Sequence, residues 1–142
     1  MENGEFYRVE KTKERMYGQE KLLVCGYAPE EQQEFLGLLK ELGLDSIPVV
    51  FVEEGDDEVT LVELLKRDGG KGMGRPSSLR RAVIMSGFTQ ENLHLLISAY
   101  RKSGLPQQLW ATLTPVSENW SIGFLLRELE KEAETIRRTQ NK

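Results

Sequence analysis

Four stretches of this chain hold residue types that could do chemistry. Cys25 closes an apolar run just ahead of a helix signal, a position where a thiolate is stabilised. A nucleophilic cysteine needs a general base, and the sole histidine, His94, is the only imidazole on offer. His94 falls on the polar side of its helix, one turn past the start, so a small residue and a surface residue with no shared role is the plainer reading. Carboxylates gather in "EEGDDE" (Glu53 to Glu58), and Mg²⁺ and Ca²⁺ take such oxygens. The EF-hand spacing is missing, and a solvated acidic turn is expected, with no metal. The glycine-rich "GGKGMGR" (Gly69 to Arg75) invites comparison with a phosphate loop. A P-loop follows a strand, opens a helix and places Ser or Thr after its lysine. Here a helix comes first and Gly72 follows Lys71, so that reading fails. A weaker one survives: Lys66, Arg67, Lys71, Arg75, Arg80 and Arg81 form a basic stripe with only Asp68 opposing, in which Lys71, Arg75, Arg80 and Arg81 could hold an anion or RNA.

The fourth stretch, "TPVSENWS" (Thr114 to Ser121), joins a strand end to a helix start. Ligands of open α/β sheets bind beyond the carboxyl ends of strands, and helix N-termini attract anions. Phe88 and Thr89 follow an equivalent strand end. With Thr114, Ser117, Asn119, Trp120 and Ser121 they would line a small pocket for an oxyanion. The structural alternative makes Trp120 a hydrophobic staple and Asn119 a turn residue.

The elements that must position these residues come in two copies. "CGYAPEEQQEFLGLLKELGL" (Cys25 to Leu44) and "SGFTQENLHLLISAYRKSGL" (Ser86 to Leu105) align without a gap, 61 positions apart, and the register extends over roughly 48 residues. Leu22-Leu23-Val24 matches Val83-Ile84-Met85, two short apolar strands that end at glycine. Pro29 suits a first helical position and Thr89 an N-cap. Helices follow, with Phe35, Leu36 and Leu39 set against Leu96, Ile97 and Tyr100, and both stop at glycine (Gly43, Gly104). Second strands, "IPVVFV" and "QLWATL", come next. Pro48 cannot donate to a ladder and belongs at a strand start or on an edge. "VTLVELL" then matches "WSIGFLL", with Thr60 and Ser121 as N-caps and the staple pairs Val59–Leu64 and Trp120–Leu125.

Each half therefore reads β-α-β-α, and a helix crossover makes its two strands parallel. The expected fold class is α/β. Two β-α-β-α repeats share one four-stranded, mainly parallel sheet with pseudo-two-fold symmetry, because two separate two-stranded sheets would be marginal. The chain divides into a flexible N-terminal segment 1–20, a first repeat 21–68, a mobile glycine-rich linker 69–80 and a second repeat 81–138, forming one compact domain. "EFYRV" near the start could add an edge strand, and the closing "TQNK" is expected to be loose.

Composition narrows the function. With 142 residues, 39% hydrophobic and 30% charged, the chain is an ordinary globular domain in size and content. No apolar run reaches the roughly 20 residues of a membrane helix, and the first twenty residues lack the apolar segment of a signal peptide. Cys25 has no second cysteine to pair with. A cytoplasmic location follows. The net charge of −4 disfavours nucleic acid as a partner.

The second half resembles a short bacterial domain family of unknown function. The residues that carry the resemblance are Gly87-Phe88, Leu113-Thr114 and Asn119-Trp120-Ser121, within about Arg81 to Glu132. Ser117 stands where the family pattern has a second Asn. The resemblance implies a fold-sized module without an assigned activity, and it transfers no catalytic residue.

The leading expectation is a non-catalytic binding or regulatory module with no cofactor. Its partner would be a small anionic ligand or another protein, a homodimer included. A small enzyme acting on an anionic substrate at the strand C-terminal edge is the second reading, and RNA or anion binding through the linker is the third.

Overall fold

The computed structural model describes residues 14–140. Four strands form one open sheet: β1 (Lys21–Cys25), β2 (Val49–Phe51), β3 (Ala82–Ser86) and β4 (Leu109–Thr112), in the order β2-β1-β3-β4. β1 pairs with β2, and β3 with β4, in parallel, while the central pair β1–β3 is antiparallel. Four helices complete the order: α1 (Pro29–Glu41), α2 (Leu61–Leu65), α3 (Gln90–Lys102) and α4 (Ile122–Gln140). A 3₁₀ turn at Ser117–Asn119 precedes α4. The fold is mixed α/β with a mostly parallel sheet.

The sheet is covered on both faces. Side chains alternate along a strand, so Leu22 and Val24 of β1 point one way, Leu23 and Cys25 the other. The first pair joins Phe35 and Leu39 of α1 and Leu96 and Tyr100 of α3 in one buried cluster. The second joins Leu61 and Leu64 of α2 and Ile122 and Leu125 of α4 in another. This double coverage is why every residue of β1 and β3 is buried and why Leu22–Cys25 and Ala82–Met85 are unbroken apolar runs; the polar ends, Lys21 and Ser86, are bonded to the carbonyls of Leu65 and Gln19. Among the described residues, no helix is long and apolar enough to cross a membrane.

Local signals behave as their chemistry requires. Pro29 opens α1, and the Glu31 carboxylate accepts from the Ala28 N–H at 3.0 Å. Thr60 and Thr89 cap α2 and α3, accepting from the N–H groups of Glu63 and Asn92. Pro48 lies one residue ahead of β2, where it needs no donor, and its carbonyl accepts from the Leu22 N–H at 2.9 Å.

Two segments differ from a loose tether. "EFYRV" and residues 1–13 as a whole lie outside the described residues. From Met16 onward the N-terminal stretch is bonded in place: Met16 N–H donates to Phe88 O at 2.7 Å, and Gly87 N–H to Tyr17 O at 2.9 Å. The glycine-rich linker packs as well. Gly70 N–H donates to Val49 O at 2.7 Å, and Phe51 N–H donates to Lys71 O at 2.9 Å. Gly72 adopts φ +84°, and a Cβ there would sit 2.1 Å from Phe51 O, so this linker glycine is fixed against the strand it covers. The carboxamide of Gln32, 2% exposed, accepts from Gly74 N–H and donates to Arg75 O, clamping the next turn. Of the C-terminal "TQNK", Thr139 and Gln140 belong to α4, and Asn141 and Lys142 lie outside the described residues.

Candidate functional site

The residues of the expected oxyanion pocket are placed at strand ends but are occupied with structural bonds. Phe88 is completely buried in the cluster beneath α1 and α3. Thr89 spends its hydroxyl on the α3 cap. Thr114 and Ser117 close on each other: their hydroxyls are 3.0 Å apart, and each accepts from the other's backbone N–H. Ser121 accepts from the Phe124 N–H at 3.2 Å, Asn119 is exposed, and the Trp120 ring stands edge-on to Phe124 with centroids 4.8 Å apart. The first N–H groups of α4, which an anion would need, donate within the protein. Ile122 gives its N–H to Val59 O at 2.8 Å, and Gly123 gives its own to Asp57 O at 2.9 Å. The 114–121 loop thus fastens α4 to the turn before α2.

The basic stripe is interleaved with acids that the linear sequence did not bring alongside. Arg67 makes a two-pronged contact with Asp56 at 2.8 and 3.2 Å, Arg75 meets Glu53 at 3.2 Å, and Arg80 meets Glu130 at 3.1 Å. Burial pushes the Asp56 carboxyl up, but Arg67 and the Glu53 N–H outweigh it and hold the group below the usual range. Lys71 is exposed, and its carbonyl is the acceptor that covers β2.

Arg81 has left the stripe for the interior. Its guanidinium lies 3.8 Å from the Tyr27 ring centroid, donates to Glu31 at 2.7 Å and to the Tyr100 hydroxyl at 3.1 Å, and its side chain is only 10% exposed. The Ala28 N–H, together with Arg81, keeps Glu31 below the ordinary carboxylate range despite partial burial. Tyr27 donates onward to Gln108 Oε1 at 2.7 Å. The cluster joins α1 to the start of β3 and the approach to β4.

Cys25 and His94 are not brought together. The Cys25 side chain is buried in the cluster beneath α2 and α4, while exposed His94 rides on α3, across the sheet. Burial pushes the thiol pKa far up, the reverse of what a nucleophile needs. In the acidic turn, Asp56 is engaged with Arg67 and with the Glu53 N–H. Among the described residues, no group of three or more metal-ligating side chains forms.

A large cleft lies elsewhere, along the outer edge of β4. It encloses about 930 Å³ between the C-terminal turn of α3, β4 and the C-terminal half of α4. Leu105, Trp110 and Ile136 give it apolar walls, and Arg101 and Arg137 flank it. Ile136 is 57% exposed. Leu109 and Leu113 send their N–H groups to the carbonyls of Arg81, just ahead of β3, and Met85 within it, so alternation turns the N–H and C=O of Trp110 and Thr112 outward, toward the edge. Among the described residues, no backbone group bonds to them from outside the sheet. These cleft residues carry no motif. The trace they leave in the sequence is that "EKEAETIRR" continues α4 where the first half turns into its linker.

No curated protein and no solved structure matches the chain. Residues 81–136, the second half with its cleft, match the model of a family described as a domain of unknown function (DUF3783), in keeping with the resemblance its residues carry.

Proposed function

We propose that this chain is a non-catalytic, cytoplasmic binding module of two β-α-β-α repeats about a pseudo-two-fold axis, and that its binding surface is the open edge of β4 with the adjoining cleft. The repeat reading draws support from register. β1–β3 is centred on Leu23↔Ile84, which are 61 positions apart. Leu23↔Val50 in one parallel pair corresponds, by the same shift, to Ile84↔Ala111 in the other.

The observation that carries the functional reading is a difference between the halves. On the β2 edge, the outward C=O of Val49 is taken by Gly70 N–H and the outward N–H of Phe51 by Lys71 O. Their counterparts 61 positions on are Trp110 and Thr112. The residues that would cover these, Lys131 and Glu132, are held in α4 and cannot extend along β4. The second half therefore keeps an edge that its own later chain cannot close, beside a cleft with apolar walls. Such an edge is a template for an added strand.

Selection of short random displayed peptides on the full chain tests this. The enriched pool should bind the unaltered protein and lose binding to Thr112→Pro, which removes one outward N–H. If no peptide distinguishes the two proteins, the β4 edge is not a binding surface.

A further inference from the structure

Resting on that reading of the β4 edge, we propose that the occupant is an acidic, extended segment of another protein, added to β4 as a fifth strand. Its backbone would make the two bonds that Gly70 and Lys71 make on β2: an N–H donated to Trp110 O and a carbonyl accepting from Thr112 N–H. Alternate side chains of such a strand face the sheet's two sides. Those turned into the cleft meet Leu105, Trp110 and Ile136, so apolar or β-branched residues fit there.

Charge decides between occupants. The ionised side chains lining the cleft are Arg101 and Arg137, both exposed, with no carboxylate in the lining. Lys102 follows Arg101 at the end of α3, and Arg138 follows Arg137 on α4, where Glu134 offsets it at 3.9 Å. A two-fold pairing of β4 with β4 of a second copy would set two such cationic rims together, and like charges across an interface oppose association. A strand with Asp or Glu at the positions flanking its apolar residues meets opposite charge at both ends of the cleft. Steering of this kind weakens as salt screens it.

The displayed-peptide selection on the full chain separates this proposal from the reading beneath it. The expected pool has Asp and Glu flanking alternate apolar residues. It should bind roughly tenfold more weakly to the double variant Arg101→Glu, Arg137→Glu, and more weakly as salt rises. Both arginines are exposed, so this variant folds even where Thr112→Pro does not, and a circular dichroism melt checks it. A pool without acidic residues, insensitive to the charge reversal but lost with Thr112→Pro, overturns the acidic partner and leaves the edge as the binding surface. A concentration-dependent dimer abolished by Thr112→Pro gives the edge to a second copy and overturns the proposal. So does a selection that succeeds only on a Tyr7→Pro full chain, which assigns the edge to residues 1–13. Failure of every peptide on all these proteins overturns both claims.

Discussion

Thr60 and Ser121, the N-caps of α2 and α4, face each other in an isolated antiparallel bridge. The bonds around them are reciprocal: Leu61 N–H donates to Trp120 O at 3.0 Å, and Ile122 N–H donates to Val59 O at 2.8 Å. Each member of one bond lies 61 positions from its counterpart in the other. The Asn-Trp-Ser stretch that gives the second half its family character is therefore half of a latch, and the other half is the plainer Glu-Val-Thr stretch at Glu58-Val59-Thr60. A motif of this type records a joint between two helix starts as readily as a site.

Loss of either cap should cost alike. Thr60→Ala and Ser121→Ala are each expected to destabilise by about 1 kcal/mol. Trp120→Ala should cost about 1–3 kcal/mol, less than a fully buried aromatic, because the ring is half-buried against Phe124. Urea unfolding of the three variants checks this, and a Trp120→Ala change under 0.5 kcal/mol would remove the ring from the latch.

The linker should discriminate sharply between its glycines. Gly72→Ala puts a methyl group into Phe51 O and holds alanine at φ +84°, for a cost of roughly 2 kcal/mol or more. Gly70→Ala, with positive φ but open space, should cost about 1 kcal/mol. Equal melting temperatures for the two variants would mean that the linker does not hold the β2 edge.

Acid should open the structure where Arg81 and Arg67 hold it. Glu31 and Asp56 titrate below their ordinary values in the folded chain. Their contribution is therefore complete above the unfolded values of 4.5 and 3.8 and is lost as pH falls through the folded ones. Stability should stay flat from neutrality to about pH 5 and decline below it. Glu31→Gln should flatten the decline. Arg81→Met should cost about 2–3 kcal/mol at neutral pH, somewhat less than a fully buried pair, since Glu31 keeps partial contact with water.

Cys25 should behave as a core residue. Its thiol should resist a thiol-reactive dye in the native chain and react only as fast as the protein unfolds, because it is buried and its pKa is raised. Rapid labelling without denaturant would contradict its position between the sheet and α2.

Much of the fold was legible because the signals are local and doubled. The strands around Leu23 and Ile84, Pro29 at the head of α1 and the caps Thr60 and Thr89 each announce themselves within a few residues. Gln32 was not legible: it sits in place of apolar Leu93 of the other half, and that mismatch was its only trace. The pairing of Arg67, Arg75 and Arg80 with Asp56, Glu53 and Glu130 was hidden too, since those contacts span 11, 22 and 50 positions. The cleft was least visible. Arg101, Trp110 and Arg137 converge only through packing, and an open strand edge is set by what fails to run beside it rather than by the strand's own residues.

The central claim is that, among the described residues, the β4 edge stands open while the matching β2 edge is bonded to the linker. Amide hydrogen exchange on the full chain measures both at once. Phe51 N–H, bonded to Lys71 O, should be protected, and Thr112 N–H should exchange faster by orders of magnitude until a strand-forming peptide slows it. Equal protection of Phe51 and Thr112 in the chain by itself would mean that the edge is already covered, and would contradict the account.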